Sequence, residues 1–231
     1  MTESELREKA SAIHAQLSDK TVSNEAIILQ IKEIPELVRA KLMSDENLFL
    51  ESVFSNRFPV AIALSDMGAD IHRTFKGSIF KGNALNVVHS PKEAEWLLDH
   101  GVKIEKNLLL SQPFLNPAIM AAEHNDTTML LYWLDKQKEI FADDAEYVQE
   151  LYYAAIDMVS MMNQYNMLAC VIANEELYNI LKDIYSKTDD TSSIRLYLNA
   201  LKYIDDKNLD ARKKELRKIL NTRKKELSSK A

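Results

Sequence analysis

Apolar side chains recur at spacings of three and four along most of this chain, the period of an α-helix with one face turned inward. The first run is Leu6, Ala10, Ile13 and Leu17. It follows Thr2-Glu3-Ser4-Glu5, in which a hydroxyl and a carboxylate three residues apart can each satisfy a backbone N–H that the first helical turn leaves without a partner. Ser23-Asn24-Glu25 opens a second helix carrying Ile27, Ile28, Ile31, Ile34, Leu37, Val38 and Leu42. Pro35 lies inside that stripe and removes one hydrogen bond, which predicts a kink or a split. A third run begins at Asn47, and its second half starts at Phe58-Pro59, where proline is tolerated in a first turn. Later the same period predicts helices over 147–161, 165–185, 192–203 and 208–227. With only 4 Gly and 5 Pro to break them, the expected class is all-α.

Residues 83–135 state one pattern twice. Asn83-Ala84-Leu85-Asn86-Val87-Val88 leads through His89-Ser90-Pro91 to Trp96-Leu97-Leu98-Asp99 and Gly101. Asn116-Pro117-Ala118-Ile119-Met120-Ala121-Ala122 leads through His124-Asn125-Asp126 to Trp133-Leu134-Asp135 and Gln137. Asn83 to Asn116 and Gly68 to Gly101 are both 33 residues, a spacing that two independent landmarks share. A weaker copy begins at Asn47, which stands 21 residues before Gly68, as Asn116 stands before Gln137. Residues 116–122 are similar to the Thr-Pro-Leu-His-x-Ala-Ala helix start of an ankyrin unit, and residues 96–102 and 67–71 resemble its Gly-containing helix end. Over residues 44–142 the chain therefore resembles the ankyrin-repeat family. It departs from that pattern in four ways: Asn replaces Thr, the His is absent, the middle copy is three residues short between its helices, and Gln137 stands in place of Gly.

The resemblance implies an ankyrin-like solenoid of helix-turn-helix repeats, with an N-terminal helical cap at 1–43, repeats at 44–142, and a degenerate repeat and C-terminal helical region at 143–231. Gly77, Gly82 and the alternating apolar residues between 70 and 83 suit the projecting hairpin of such a unit. The connector 102–115 is unusually apolar, with Leu108-Leu109-Leu110 and Pro113-Phe114-Leu115, and would either fold back on a neighbouring unit or form a sticky patch. Stacked units bury their Leu, Ala and Trp positions, including Trp96 and Trp133, and leave one concave face free. The resemblance implies that this face holds a partner protein and performs no reaction. Carried over copy by copy, its variable positions are Phe54 and Ser55, His89 and Ser90, and Glu123 and His124 on the first helices. The hairpins add Ser44 and Glu46, Ile79 and Phe80, and Gln112 and Leu115. Phe80, His89, Leu115 and His124 would lie near its middle.

Composition narrows the alternatives. A net charge of −6 opposes whole-protein attraction to nucleic acid or an anionic membrane, so neither is an expected partner. Cys170 is the only cysteine, which rules out an intramolecular disulfide and fits a reducing cytoplasm, although delivery into a host cell remains open. On its apolar helix Cys170 reads as a buried small hydrophobe. His14, His72, His89, His100 and His124 lack the i,i+4 pairing of a zinc helix, no glycine loop for phosphates is present, and no cofactor or small-molecule substrate is expected. Met158, Met161, Met162 and Met167 read as core, with an adaptable binding groove as the sharper option. From Lys207 on the charges turn positive, with Arg212, Lys213, Lys214, Arg217, Lys218, Arg223, Lys224 and Lys225 on one helix. That helix is either a solvated outer face or an adaptor for nucleic acid or anionic membrane. An enzyme with a site in 143–206 is the remaining rival, and its mark would be a pocket where Asp, Tyr, Asn and Cys side chains converge.

Overall fold

The computed structural model describes residues 1–40, 42, 47–76, 81–104, 106, 116–162 and 164–229. Their regular elements are helices apart from one short ribbon. In chain order come α1 (Glu3–Ser18), α2 (Asn24–Glu33), α3 (Leu48–Phe54), α4 (Phe58–Asp66), β1 (Phe75–Lys76), β2 (Lys81–Gly82) and α5 (Pro91–Asp99). They are followed by α6 (Pro117–Glu123), α7 (Thr127–Ile140), α8 (Ala145–Met161), α9 (Tyr165–Ala173), α10 (Glu175–Lys187), α11 (Thr191–Tyr203) and α12 (Asp210–Ser228). Single 3-10 turns occupy Pro35–Arg39, Ala84–Asn86 and Lys207–Leu209. The described residues up to 106, with Asn116 and Pro117, form one compact unit, and those from Ala118 onward form a second.

The first unit begins with the expected reciprocal cap: Glu5 N donates to Thr2 Oγ1 at 3.3 Å, and Thr2 N to the Glu5 carboxylate at 2.7 Å. The second apolar stripe splits at Pro35 into α2, which buries Ile27 and Ile31, and a 3-10 turn that buries Leu37 and Val38. Helix α1 packs on α3, α2 on α4, and α3 on α4. Phe75 pairs with Gly82 and Lys76 with Lys81, antiparallel, at the place expected of a hairpin.

Local geometry repeats where the sequence repeats. The Asn47 carboxamide accepts from Leu50 N at 2.9 Å and donates to Asp70 O at 2.9 Å; that of Asn83 accepts from Leu85 N at 3.0 Å and donates to Lys103 O at 2.9 Å. Each thus ties a first turn to the backbone two residues beyond the closing glycine. Asparagine carries acceptor and donors on one short side chain, which is a physical reason for its use here in place of threonine. The glycines Gly68 and Gly101 adopt φ of 89° and 83°, and the residue after each donates back five positions, Ala69 N to Leu64 O and Val102 N to Leu97 O, both at 3.0 Å. Asn56 and Asn125, with φ of 55° and 58°, turn α3 into α4 and α6 into α7. Asparagine tolerates this left-handed backbone better than most residues.

Differences from expectation follow the departures in sequence. In the middle copy, three residues short, the turn Ala84–Asn86 stands where the first helix of a repeat unit was expected. Without a glycine at 137, α7 runs on to Ile140, and Gln137 is buried and accepts from Tyr147 Oη at 3.1 Å. The helix expected over 165–185 is two helices, because Asn174 sits in extended backbone (φ −79°, ψ 126°) and its side chain accepts from Leu177 N at 3.1 Å, starting α10 afresh. Cys170 is exposed rather than buried, since α9 turns Met167, Leu168, Val171 and Ile172 inward. Of the methionines expected in the core, Met167 is buried whereas Met161 and Met162 are exposed at the end of α8.

Helix α12 is neither a free basic arm nor a wholly solvated face. The Arg212 guanidinium donates to Ile172 O at 2.6 Å and Ala173 O at 3.0 Å at the end of α9. Lys213 Nζ reaches Ile204 O at 2.9 Å and Arg217 reaches Leu201 O at 2.7 Å at the end of α11. Arg223 Nε reaches Thr188 O at 2.9 Å at the end of α10. Helix C-termini present carbonyls with no partner and a partial negative charge, so these four cations stabilise three helix ends of the second unit.

Candidate functional site

Helix α3 buries Leu48, Phe49, Leu50 and Val53, and the face that remains carries Phe54, whose side chain is 64% exposed at the last helical position. Ser55 follows as the C-terminal cap, and its carbonyl accepts from Lys20 Nζ at 2.7 Å. His89 Nε2 lies 3.1 Å from Phe54 O. A carbonyl can only accept, so this contact requires the tautomer that carries the proton on Nε2. The backbone that carries the imidazole is fixed as well: His89 N donates to the Glu93 carboxylate at 2.9 Å, while Ser90 Oγ caps Glu93 N at 3.4 Å and starts α5. Phe54, Ser55, His89 and Ser90 are therefore brought together in the first unit, with Lys20 as an unforeseen neighbour, although only Phe54 lies on a first helix: Ser55 caps α3, and His89 and Ser90 lead into α5.

Behind this surface Arg57 is buried. Its Nε donates to Leu17 O at 3.1 Å, its Nη1 to Asn24 Oδ1 at 3.1 Å and its Nη2 to Asp19 O, so it fastens the loop between α1 and α2 to the turn between α3 and α4. The Asp19 carboxyl is held below its ordinary range, first by the Thr21 hydroxyl and backbone N–H and less by Arg57. Sequence gave no sign of this residue, because its partners lie some forty positions away.

Ile79, Phe80, Gln112 and Leu115, with Ser44 and Glu46, lie outside the described residues. Glu123 and His124 belong to the second unit, at the end of α6, where His124 is exposed and Gln164 Nε2 donates to Glu123 O at 2.9 Å. Glu123 Oε2 and Gln164 Oε1 are buried and have no hydrogen-bond partner among the described residues.

The second unit also holds a cleft of about 700 Å³ between α8, the end of α10 and the start of α11. Tyr153 and Tyr197 form its aromatic walls, and Tyr197 Oη donates to Asp157 Oδ1 at 2.5 Å. Burial, and then the Asp157 carboxylate, push the Tyr197 hydroxyl far above its usual range and keep it protonated. The Asp and Tyr side chains that an enzyme reading requires do converge here, but Cys170 is not among the lining residues and no asparagine is. The sequence signal for the cleft was the row Glu146, Glu150, Tyr153 and Asp157, spaced by four, three and four on one face of α8.

Among the described residues no three His, Cys, Asp or Glu side chains could hold a metal ion, and no helix is long and apolar enough to cross a membrane. Comparisons with models of protein families, with curated proteins and with solved structures find no match to this chain.

Proposed function

We propose that this protein is a non-enzymatic binding module built on ankyrin-like helix pairs, and that it holds a partner protein through the surface bearing Phe54, Ser55, His89 and Ser90. The carrying observation is the Phe54 ring, an aromatic left 64% exposed on a helix whose other large apolar side chains are buried. Exposed aromatics with fixed polar neighbours are the side chains around which protein interfaces concentrate their affinity. The repeated asparagine ties and left-handed turns support the ankyrin-like reading, since the same bonds recur at the spacing the sequence sets. The cytoplasm is the compartment that fits a lone cysteine.

The test is capture of partners from the native cell by the full chain, followed by the same capture with Phe54→Ala. Truncation of a central aromatic costs about 2 kcal/mol or more at an interface, so affinity for the partner should fall by roughly thirtyfold or more. Because the ring is mostly exposed, the melting temperature should hold. Capture unchanged by Phe54→Ala and by His89→Ala would remove this surface from the function.

A nucleic-acid or membrane adaptor working through α12 receives less support, because Arg212, Lys213, Arg217 and Arg223 are engaged with backbone carbonyls of their own unit.

A further inference from the structure

The second unit offers a site of different chemistry. Its cleft is lined by five carboxylates, Glu146, Glu150, Asp157, Asp189 and Asp190, and by one ammonium, that of Lys187. Two of the five are engaged inside the fold. Asp190 caps α11 by accepting from Ser192 N at 3.1 Å and Ser193 N at 2.7 Å, and Asp157 accepts from Tyr197. Lys187 is engaged too, at 2.7 Å from Asp183. Glu146, Glu150 and Asp189 are exposed at the opening and have no hydrogen-bond or ion-pair partner among the described residues.

The interior of the cleft suits one kind of cation. Ala154 and Ile184 give it an apolar floor, and the Tyr153 ring already has Lys187 Nζ 5.7 Å above its centroid. An ammonium can therefore reach this aromatic face, whose quadrupole attracts positive charge. A hydrated metal ion would gain nothing from the floor or the ring. A lysine or arginine would use all of it, with its methylene stem on Ala154 and Ile184, its charge beside the free carboxylates, and an aromatic face alongside. We propose that this cleft takes a lysine- or arginine-bearing segment of a partner protein. The charge complementarity selects the segment, and the site is separate from the Phe54 surface.

The probe is a labelled peptide of about ten residues alternating lysine and alanine, titrated into the full chain and followed by fluorescence anisotropy, with a glutamate–alanine peptide as its counterpart. The lysine peptide should bind, weaken as salt rises through the physiological range, and outbind the glutamate peptide. Glu150→Gln with Asp189→Asn should lower affinity by about tenfold, taking each exposed charge as worth two- to fivefold. Tyr153→Leu keeps the apolar volume and removes the ring face, and should lower affinity by about two- to fivefold. Glu8→Gln with Glu33→Gln changes the net charge equally in the first unit and should leave binding as it is. An equal loss in both charge pairs would mean that the peptide follows net charge alone and would overturn the proposal. So would spermine binding as tightly as the peptide, which would assign the cleft to a small free cation. Phe54→Ala should not alter peptide binding, so failure of this site and failure of the Phe54 surface are read independently.

Discussion

Arg57 is the residue on which the first unit's geometry most depends. A buried guanidinium loses its hydration, and the arrangement is stable only because the two carbonyls and the amide around it accept in the directions its fork offers. Arg57→Leu would leave buried Leu17 O beneath an apolar side chain that cannot donate, and Asp19 O with Val22 N as its remaining donor. The expected cost is roughly 2–4 kcal/mol, read as a lower urea midpoint, whereas Lys20→Ala, which removes one exposed contact to Ser55 O, should move the midpoint little. A small effect at Arg57 would show that water replaces it readily. The contrast with Asn47 and Asn83 explains what was legible at this scale. Those asparagines recur in the chain, so their shared role could be read by comparing copies. Arg57 stands at a turn position where any polar residue looks ordinary, and its burial depends on partners remote in sequence. The pairing of His89 with Phe54 O was hidden for the same reason, although both positions were legible as members of one face.

Among elements, helices were legible wherever an apolar stripe ended in a cap, and less so where a polar residue broke a stripe from within. Thr2, Ser23 and Asn47 open α1, α2 and α3 as their side chains predict, but Asn174 lies between two apolar runs and reads as one polar position on a long helix until its bond to Leu177 N is seen. The basic residues of α12 could be placed on a helix from sequence, and only the packed structure shows which of them face carbonyls. The two tryptophans sit one position apart in the repeat register. Trp133 on α7 is 1% exposed, with Tyr132 edge-on at 4.9 Å. Trp96 on α5 is half-buried, stacked on His100 at 3.8 Å and edge-on to Phe58 at 5.5 Å. Aligned on Asp99 and Asp135, half-buried Trp96 matches half-buried Tyr132 and buried Trp133 matches buried Leu97, so the tryptophans occupy adjacent positions of the pattern and their unequal burial follows it. Trp133→Ala should cost about 3–5 kcal/mol and Trp96→Ala about half of that, measured by denaturant unfolding of each variant. Equal costs would mean that the stacked His100 and Phe58 shield Trp96 as fully as a core does.

Across the whole molecule, the division into two units coincides with a change of composition that the repeat pattern runs straight through. All four glycines and all five prolines precede residue 118, and all nine tyrosines follow it. The tyrosines make the second unit chemically distinct at high pH. Burial raises the Tyr152 hydroxyl to about 12 and pushes those of Tyr178, Tyr185 and Tyr197 higher still, with Asp157 adding to the rise at Tyr185 and Tyr197. An unfolded tyrosine ionises near pH 10, so the folded state holds these protons more tightly. That stability is fully present below about pH 10 and is lost as pH rises through the folded values. On the acid side the carboxyls of Glu5, Asp19, Asp190, Asp210 and Glu215 are lowered by hydrogen bonds from Thr2, Thr21, Ser193, Lys213 and Tyr178 respectively. Their contribution is present above about pH 4 and is lost as pH falls through the depressed values, and both units have a share in it. Each unit also contains one tryptophan, which makes the asymmetry measurable. Trp96→Phe leaves Trp133 to report on the second unit, and Trp133→Phe leaves Trp96 to report on the first. In an alkaline titration the Trp133 emission should change at lower pH than the Trp96 emission, while in acid the two should change over the same range. Coincident alkaline transitions would mean that the units lose their structure together and that the tyrosine protons stabilise the chain as a whole.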